Sequence, residues 1–227
     1  MTQTIEEIRQ ENLTIDILRL FPRQGKWTEA DYFRLPESNR IIELSEGRLI
    51  ISPSPTTQHQ RIVLKLSYLL VDYVSSYNLG EIIIAPLDVR LWEGTIRQPD
   101  IVFMSNEHLD RITEQLWGVP DLVVEILSES TAKVDKEDKY LEYQRAGVLE
   151  YWIVDPFKQS IEVFTLENGT YTQFGINGIG ESVLPFLSSA VLPLLGETRS
   201  GGFGGTRIAK SKLLDGFEVS IDDVMRL

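Results

Sequence analysis

Two strongly apolar runs in this chain of 227 residues each carry a carboxylate, and one of these, Glu125, has no basic neighbour to pair with. "QPDIVF" places Asp100 at its head, and "DLVVEIL" places Glu125 directly after two valines. If the two runs are neighbouring strands, oxygens from both acids reach one Mg²⁺ (or Mn²⁺), a hard cation that takes about six oxygen ligands and often keeps waters. A carboxylate pair with such an ion activates water and stabilises the charge that develops on a phosphodiester. Taken singly, each acid has an ordinary explanation: Asp100 caps a turn, or Glu125 pairs with a surface base.

Strand parity narrows the choice. Side chains alternate between faces, so Val123, Glu125 and Leu127 share one side, and Leu127 has no charge with which to help the acid. The segment that follows can help, because Asp135, Lys139 and Tyr143 lie four apart on one helical face. From there Lys139 reaches back to the strand end, where an ammonium orients an attacking water or offsets developing negative charge. Glu43, in "IIEL", either assists the metal or a water, or faces solvent from an edge strand. His59, near the start of a long helix, either contacts phosphate or makes a hydrogen bond at the helix start. Gln98 and Tyr143 are candidates to line the site, although Tyr143 also fits simple packing. Trp92, Trp117 and Trp152 fit the core.

These residues need a scaffold, and the pattern supplies one. "WTEADYFRLPE" predicts a short helix opened by Thr28 and closed before Pro36. "RIIELSEGRLIIS" predicts a hairpin around Ser45, Glu46 and Gly47. Ile62, Val63, Leu66, Leu69, Leu70, Tyr73 and Val74 keep the 3.6-residue period of a long helix, with Gly80 as its stop. Strands are expected at "EIIIA", "DVRLW" and "DIVFM", then a helix over about His108 to Leu116, the Glu125 strand, and a charged helix ending at Gly147. "EYWIVD", "SIEVFTL" and "TYTQF" complete a meander, the last two joined at Asn168-Gly169. The expected fold class is α+β, a central mixed sheet flanked by helices. Residues 1–26 read as an N-terminal helical arm, 27–187 as the core, 188–212 as an inserted Gly-rich basic loop, and 213–227 as the C-terminal end of the same domain, with a short helix at "SIDDVMRL".

Composition excludes several classes. The chain has no cysteine, which rules out disulfides and thiolate zinc and suits a reducing cytoplasm. It has only two histidines, His59 and His108, too few for a histidine-dominated metal centre. No apolar run approaches the roughly 18 residues of a membrane span, and the N-terminus lacks a signal peptide's charge order. The net charge of −12 opposes any phosphate backbone, yet it suits carboxylates gathered around a cation. "GGFGG" lacks both the preceding strand and the Lys-Ser/Thr of a phosphate-binding loop, so it reads as linker. The basic residues beside it, Arg199, Arg207, Lys210 and Lys212, read as a solvated loop or a nucleic-acid contact.

Four stretches carry a resemblance that extends over most of residues 27–187. They are "IIELSEGRLIISPSPTTQHQRI", "APLDVRLWEGTIRQPDIVF", "PDLVVEILSEST" and "DKEDKYLEYQRAGVLEYWIVDP". In order and composition they resemble the Uma family of bacterial restriction-endonuclease-like proteins. The resemblance implies a PD-(D/E)XK nuclease core in which the lysine has moved from the strand to the following helix. It implies Glu43, Asp100, Glu125 and Lys139 as the site, Asp100 and Glu125 as the metal ligands, and DNA as the substrate, with a homodimer as one arrangement. Two other classes compete: a nuclease-fold module that binds nucleic acid or protein without cutting, and a glycoside hydrolase. The hydrolase has no use for Lys139.

Overall fold

The parity of "LVVEIL" organises the molecule. Leu122, Val124 and Ile126 face one hydrophobic layer, while Val123 and Leu127 enter a second on the opposite side. The strand is therefore buried on both faces. In a computed structural model, which describes residues 21–36, 40–129, 131–178 and 207–226, it is an inner strand of a mixed six-stranded sheet.

In chain order the strands are β1 (Ile42–Ser45), β2 (Arg48–Ile51), β3 (Gly80–Ile84), β4 (Val89–Trp92), β5 (Thr95–Arg97), β6 (Ile101–Ser105) and β7 (Leu122–Ile126). They continue with β8 (Glu150–Asp155), β9 (Ser160–Glu167), β10 (Thr170–Gly178), β11 (Ile208–Lys210) and β12 (Glu218–Ser220). The large sheet runs β10-β9-β8-β7-β6-β3, with β7 and β8 parallel and every other pair antiparallel. A smaller antiparallel sheet, β2-β1-β5-β4, lies beside it, and β11 and β12 form a hairpin. The α+β class and the mixed sheet expected from the sequence are present.

The long helix, Thr57–Ser76, is capped by Thr56, whose side chain accepts the His59 N–H. Its Ile62, Leu66, Leu70 and Val74 pack on Ile101, Phe103, Val124 and Trp152 of the sheet. The terminal helix, Ile221–Met225, shares that layer through Ile221 and Val224. The opposite layer is built on Tyr143, Tyr151, Phe164 and Tyr171. Among the described residues no helix is long and apolar enough to cross a membrane.

Four details differ from the sequence reading. The helix expected over His108 to Leu116 is a 3₁₀ segment, Asn106–Arg111, followed by extended chain that bridges Ile112 to Trp117. The Thr113 hydroxyl bonds the Leu116 carbonyl and accepts its N–H, a local turn that competes with helix. Gly80 does not stop the long helix; it begins β3, where a Cβ would lie 2.0 Å from the Met104 carbonyl oxygen. The three-residue strand β5 was not anticipated. Finally, the far end of the expected basic loop is strand β11, with Arg207 paired to Asp222, Lys210 to Glu218 and Lys212 to Glu167.

That last segment is held by a buried acid. Glu150 is 0% exposed, and its oxygens accept the Ser211 hydroxyl, the N–H groups of Lys212 and Leu213, and the Trp152 indole N–H. The remainder of the expected loop, 188–206, and residues 1–20 of the expected arm lie outside the described residues. The chain leaves at Gly178, paired with Ser160, and returns at Arg207, which donates to the Gln159 carbonyl oxygen. Its two ends thus meet at one turn, and closing a loop between adjacent ends costs little. Deleting 188–206 is expected to change unfolding free energy by under about 1 kcal/mol in urea denaturation; a chain that no longer folds would make the segment structural.

Candidate functional site

The register of two strand pairs builds the site. Because β6 pairs β7 with Ile101 opposite Val124, Asp100 falls opposite Glu125. Because β1 pairs β5 with Leu44 opposite Ile96, Glu43 falls opposite Arg97. The helix after β7 then passes over both. It begins with Ala132–Val134, widens to a π turn over Asp135–Lys139, and continues as Tyr140–Ala146 to Gly147, whose left-handed φ of 89° closes it. Such π turns recur at functional sites. This one puts Asp135, Lys139 and Tyr143 over Glu125.

Lys139 is the centre. Its Nζ lies 2.9 Å from Glu125 Oε1, 3.2 Å from Asp135 Oδ1 and 3.3 Å from Glu43 Oε1, with only 7% of the side chain exposed. Burial alone would lower its pKa, but Glu125, Glu43 and Asp135 outweigh burial and hold the ammonium protonated. Tyr143 donates its hydroxyl to the same Glu125 Oε1 at 2.8 Å. Burial, reinforced by Asp135, Asp100 and Glu43, pushes the Glu125 carboxyl well above the usual range despite Lys139. Asp135 moves upward for the same first reason. Glu43 moves the other way: burial would raise it, but Lys139 and Arg97 prevail.

Around Glu43 lies a second charged layer. Arg97, 0% exposed, donates Nη1 to Glu43 Oε2 at 3.1 Å and clasps Glu142 through Nε (2.6 Å) and Nη2 (2.9 Å). Ser45 adds a bond to Glu142 at 2.6 Å, and the Gln98 N–H reaches Glu43 Oε1 at 2.9 Å. Glu43 is thus an inner, buried residue and not the solvent-facing acid of an edge strand.

Asp100 is fixed on its other side. Its Oδ2 accepts the Ile126 N–H at 2.8 Å and lies 3.2 Å from His59 Nε2. Burial lowers the His59 pKa, but the bond to Asp100 and its charge outweigh that and raise it. Among the described residues His59 Nδ1 is buried without a hydrogen-bond partner, as is Gln98 Oε1, while Gln98 Nε2 donates to Asp88 at 2.8 Å. His108 stands apart, 2.6 Å from Asp121.

All four acid and lysine candidates, with His59 and Gln98, are therefore adjacent, and Tyr143 touches Glu125 from within the core. Asp100, Glu125, Asp135, Lys139, His59 and Gln98 line an open cleft of about 630 Å³. No three His, Asp or Glu side chains among the described residues already stand in a ligating array. The donor chemistry nevertheless fits a divalent cation. The bonds above use Asp100 Oδ2 and Glu125 Oε1, leaving Asp100 Oδ1 and Glu125 Oε2 without hydrogen bonds among the described residues. The charge also fits, since among the described residues Glu43, Asp100, Glu125, Asp135 and Glu142 pair only with Lys139, Arg97 and one histidine.

Arg97, Glu142 and Asp135 as a charged partner of Lys139 escaped sequence reasoning. The cross-strand ion pair of Arg97 with an acid in "IIEL" becomes visible only once the short strand β5 is placed beside β1.

The architecture is that of a nuclease-fold α+β domain. Over 87% of this chain and 97% of the other, with a TM-score of 0.65 and 18% identity, it matches a crystal structure from Anabaena variabilis described as "a putative nuclease belonging to DUF820". At that identity the likeness is one of fold. Residues 29–194 match the Uma2 family, described as "Putative restriction endonuclease", and the chain belongs to that family. It is also 28% identical over 141 residues, 60% of this chain and 78% of the other, to an uncharacterised protein of Synechocystis sp..

The crowding of buried acids has a measurable consequence. Glu125→Gln keeps the shape and an acceptor for Lys139 and Tyr143 while removing a desolvated charge. In EDTA the variant is expected to melt at or above the wild-type temperature; a clear loss of stability would mean that the Glu125 charge holds the fold.

Proposed function

We propose that this Uma2 protein is an endonuclease, dependent on Mg²⁺ or Mn²⁺, that hydrolyses phosphodiester bonds in DNA. The reading is carried by one observation: two cross-strand carboxylates each keep an oxygen free of hydrogen bonds beside a buried, protonated lysine. Asp100 and Glu125 would hold the cation. Bound there, it would polarise a phosphoryl oxygen and make a water more acidic. Lys139 serves as a fixed positive charge and hydrogen-bond donor for the attacking water or the developing phosphorane charge. Glu43, itself anchored by Arg97, sets the position of Lys139. Tyr143 orients Glu125, and His59 with the Ile126 N–H orients Asp100. Gln98 bonds Asp88 at the cleft wall.

A specific feature favours a second reading, a nuclease-fold module that binds nucleic acid or protein without cutting. An ammonium has three N–H groups, and three carboxylates lie within 3.3 Å of this one. In this arrangement the charge of Lys139 is shared among three carboxylates, with one hydrogen bond committed to Glu125.

Incubation of supercoiled plasmid with increasing Mg²⁺ or Mn²⁺ separates the two. Nicking is expected for the wild type and absent in Asp100→Asn. In Lys139→Gln it is expected to fall by about 10²–10³-fold, the scale of one lost charge-stabilising donor. Equal cutting by Lys139→Gln would remove Lys139 from the mechanism, and no cutting by the wild type would favour the binding module.

A further inference from the structure

Strand β3 forms one edge of the large sheet, with β6 on its inner side and no strand on its outer side among the described residues. Exposed edges are normally blunted by lysine, proline, a bulge or inward charge, because free backbone groups template pairing with another chain. β3 reads Gly-Glu-Ile-Ile-Ile, has no basic residue or proline, and keeps an unbroken register against β6. Ile83 and Ile84 remain 38% and 43% exposed.

The long helix extends this apolar surface. One of its flanks is covered by the terminal segment, since Lys65 donates to the Asp223 carbonyl oxygen and Tyr73 to that of Asp215. At 100° per residue, Leu64 and Val71 fall on the opposite flank, towards the β3 edge, with Tyr68 between them and the top of the helix. They are 68%, 43% and 69% exposed. β3 runs back alongside the helix, and Ile82 is packed into the same layer as Leu66 and Leu70. Ile84 shares the face of Ile82, so this side of the strand edge and the helix flank form one surface, whereas Ile83, opposite Val102, points to the other face of the sheet.

We propose that this surface is a homodimer interface in which β3 pairs antiparallel with β3 of a second copy. Identical strands pair antiparallel about a two-fold axis, so the edge is its own complement. The same axis brings the Leu64, Tyr68 and Val71 flanks of the two helices together. The exposed parts of Leu64, Tyr68, Val71 and Ile84 amount to about 400 Å², within the range of the largest apolar patch of a typical monomer. The strand backbone and a polar rim bring the surface towards the roughly 800 Å² per partner of a stable interface. β3 leads directly to the cleft, since the Ala85 N–H donates to the Asp100 carbonyl oxygen at 3.0 Å. Pairing would thus fix two clefts in one rigid body.

Sedimentation velocity on the full chain from about 1 to 100 µM tests the proposal. The wild type is expected to be a dimer, and Leu64→Glu with Tyr68→Glu a monomer with an unchanged circular-dichroism melt, because both side chains are largely exposed. Cysteines introduced singly at Glu81, Ile82 and Ile83, in a chain that has none, are expected to crosslink on oxidation at the position nearest the axis. A monomeric wild type, a dimer unaffected by the double substitution, or no crosslink at any position would overturn it. So would a monomer that binds an added β-strand peptide at this edge, since the occupant would then be another chain.

Discussion

One ammonium among three carboxylates governs the architecture. Burying Lys139 without partners would be prohibitive, and burying Glu125 beside Glu43 and Asp135 without a cation would be worse. Together they are tolerable, but only if β7, β1 and the helix after β7 meet at one point. That requirement places the small sheet against the large one. It also accounts for the π turn, which allows Asp135 and Lys139 to face the strand while Tyr143 reaches the same Glu125 oxygen. The charges are not balanced, however: the carboxylates outnumber the cations, and Glu125 and Asp135 respond with raised pKa values.

A second ion cluster makes the first one rigid. Arg97 ties Glu43 on β1 to Glu142 on the helix, and Ser45 bonds the same Glu142. Glu43 thus has little freedom, and Lys139 inherits its fixed position. Removing one partner from such a buried network leaves an uncompensated charge, which costs far more than the intact pair contributes. On the opposite face the same logic recurs with Glu150, whose oxygens are satisfied by the terminal segment and draw it onto the sheet.

Much of the site was legible in the sequence because two simple periods converge on it. Alternation in "LVVEIL" put Glu125 on a defined face, and the four-residue spacing of Asp135, Lys139 and Tyr143 put those side chains in one row. Asp100 followed from the apolar run it heads. What escaped had no period to betray it. β5 is three residues long, too short for a strand pattern, so Arg97 had no visible address. Glu142 is one of several charged residues on its helix, and only the distant Arg97 makes it an inward anchor. Gly80 was read as a helix stop, although its real constraint is the Met104 carbonyl across the sheet. Likewise, Lys210 and Lys212 looked like a solvated loop, because the acid that orders the segment, Glu150, lies some sixty residues earlier.

We propose that the unbalanced acids of the cleft are a divalent-cation site made by Asp100 and Glu125. Calorimetric titration of the metal-free protein with Mn²⁺ tests it without recourse to activity. Saturable binding is expected that is lost in both Asp100→Asn and Glu125→Gln and retained when the distant His108 is changed to Gln. Absence of binding at millimolar Mn²⁺, or binding that survives both substitutions, would contradict it.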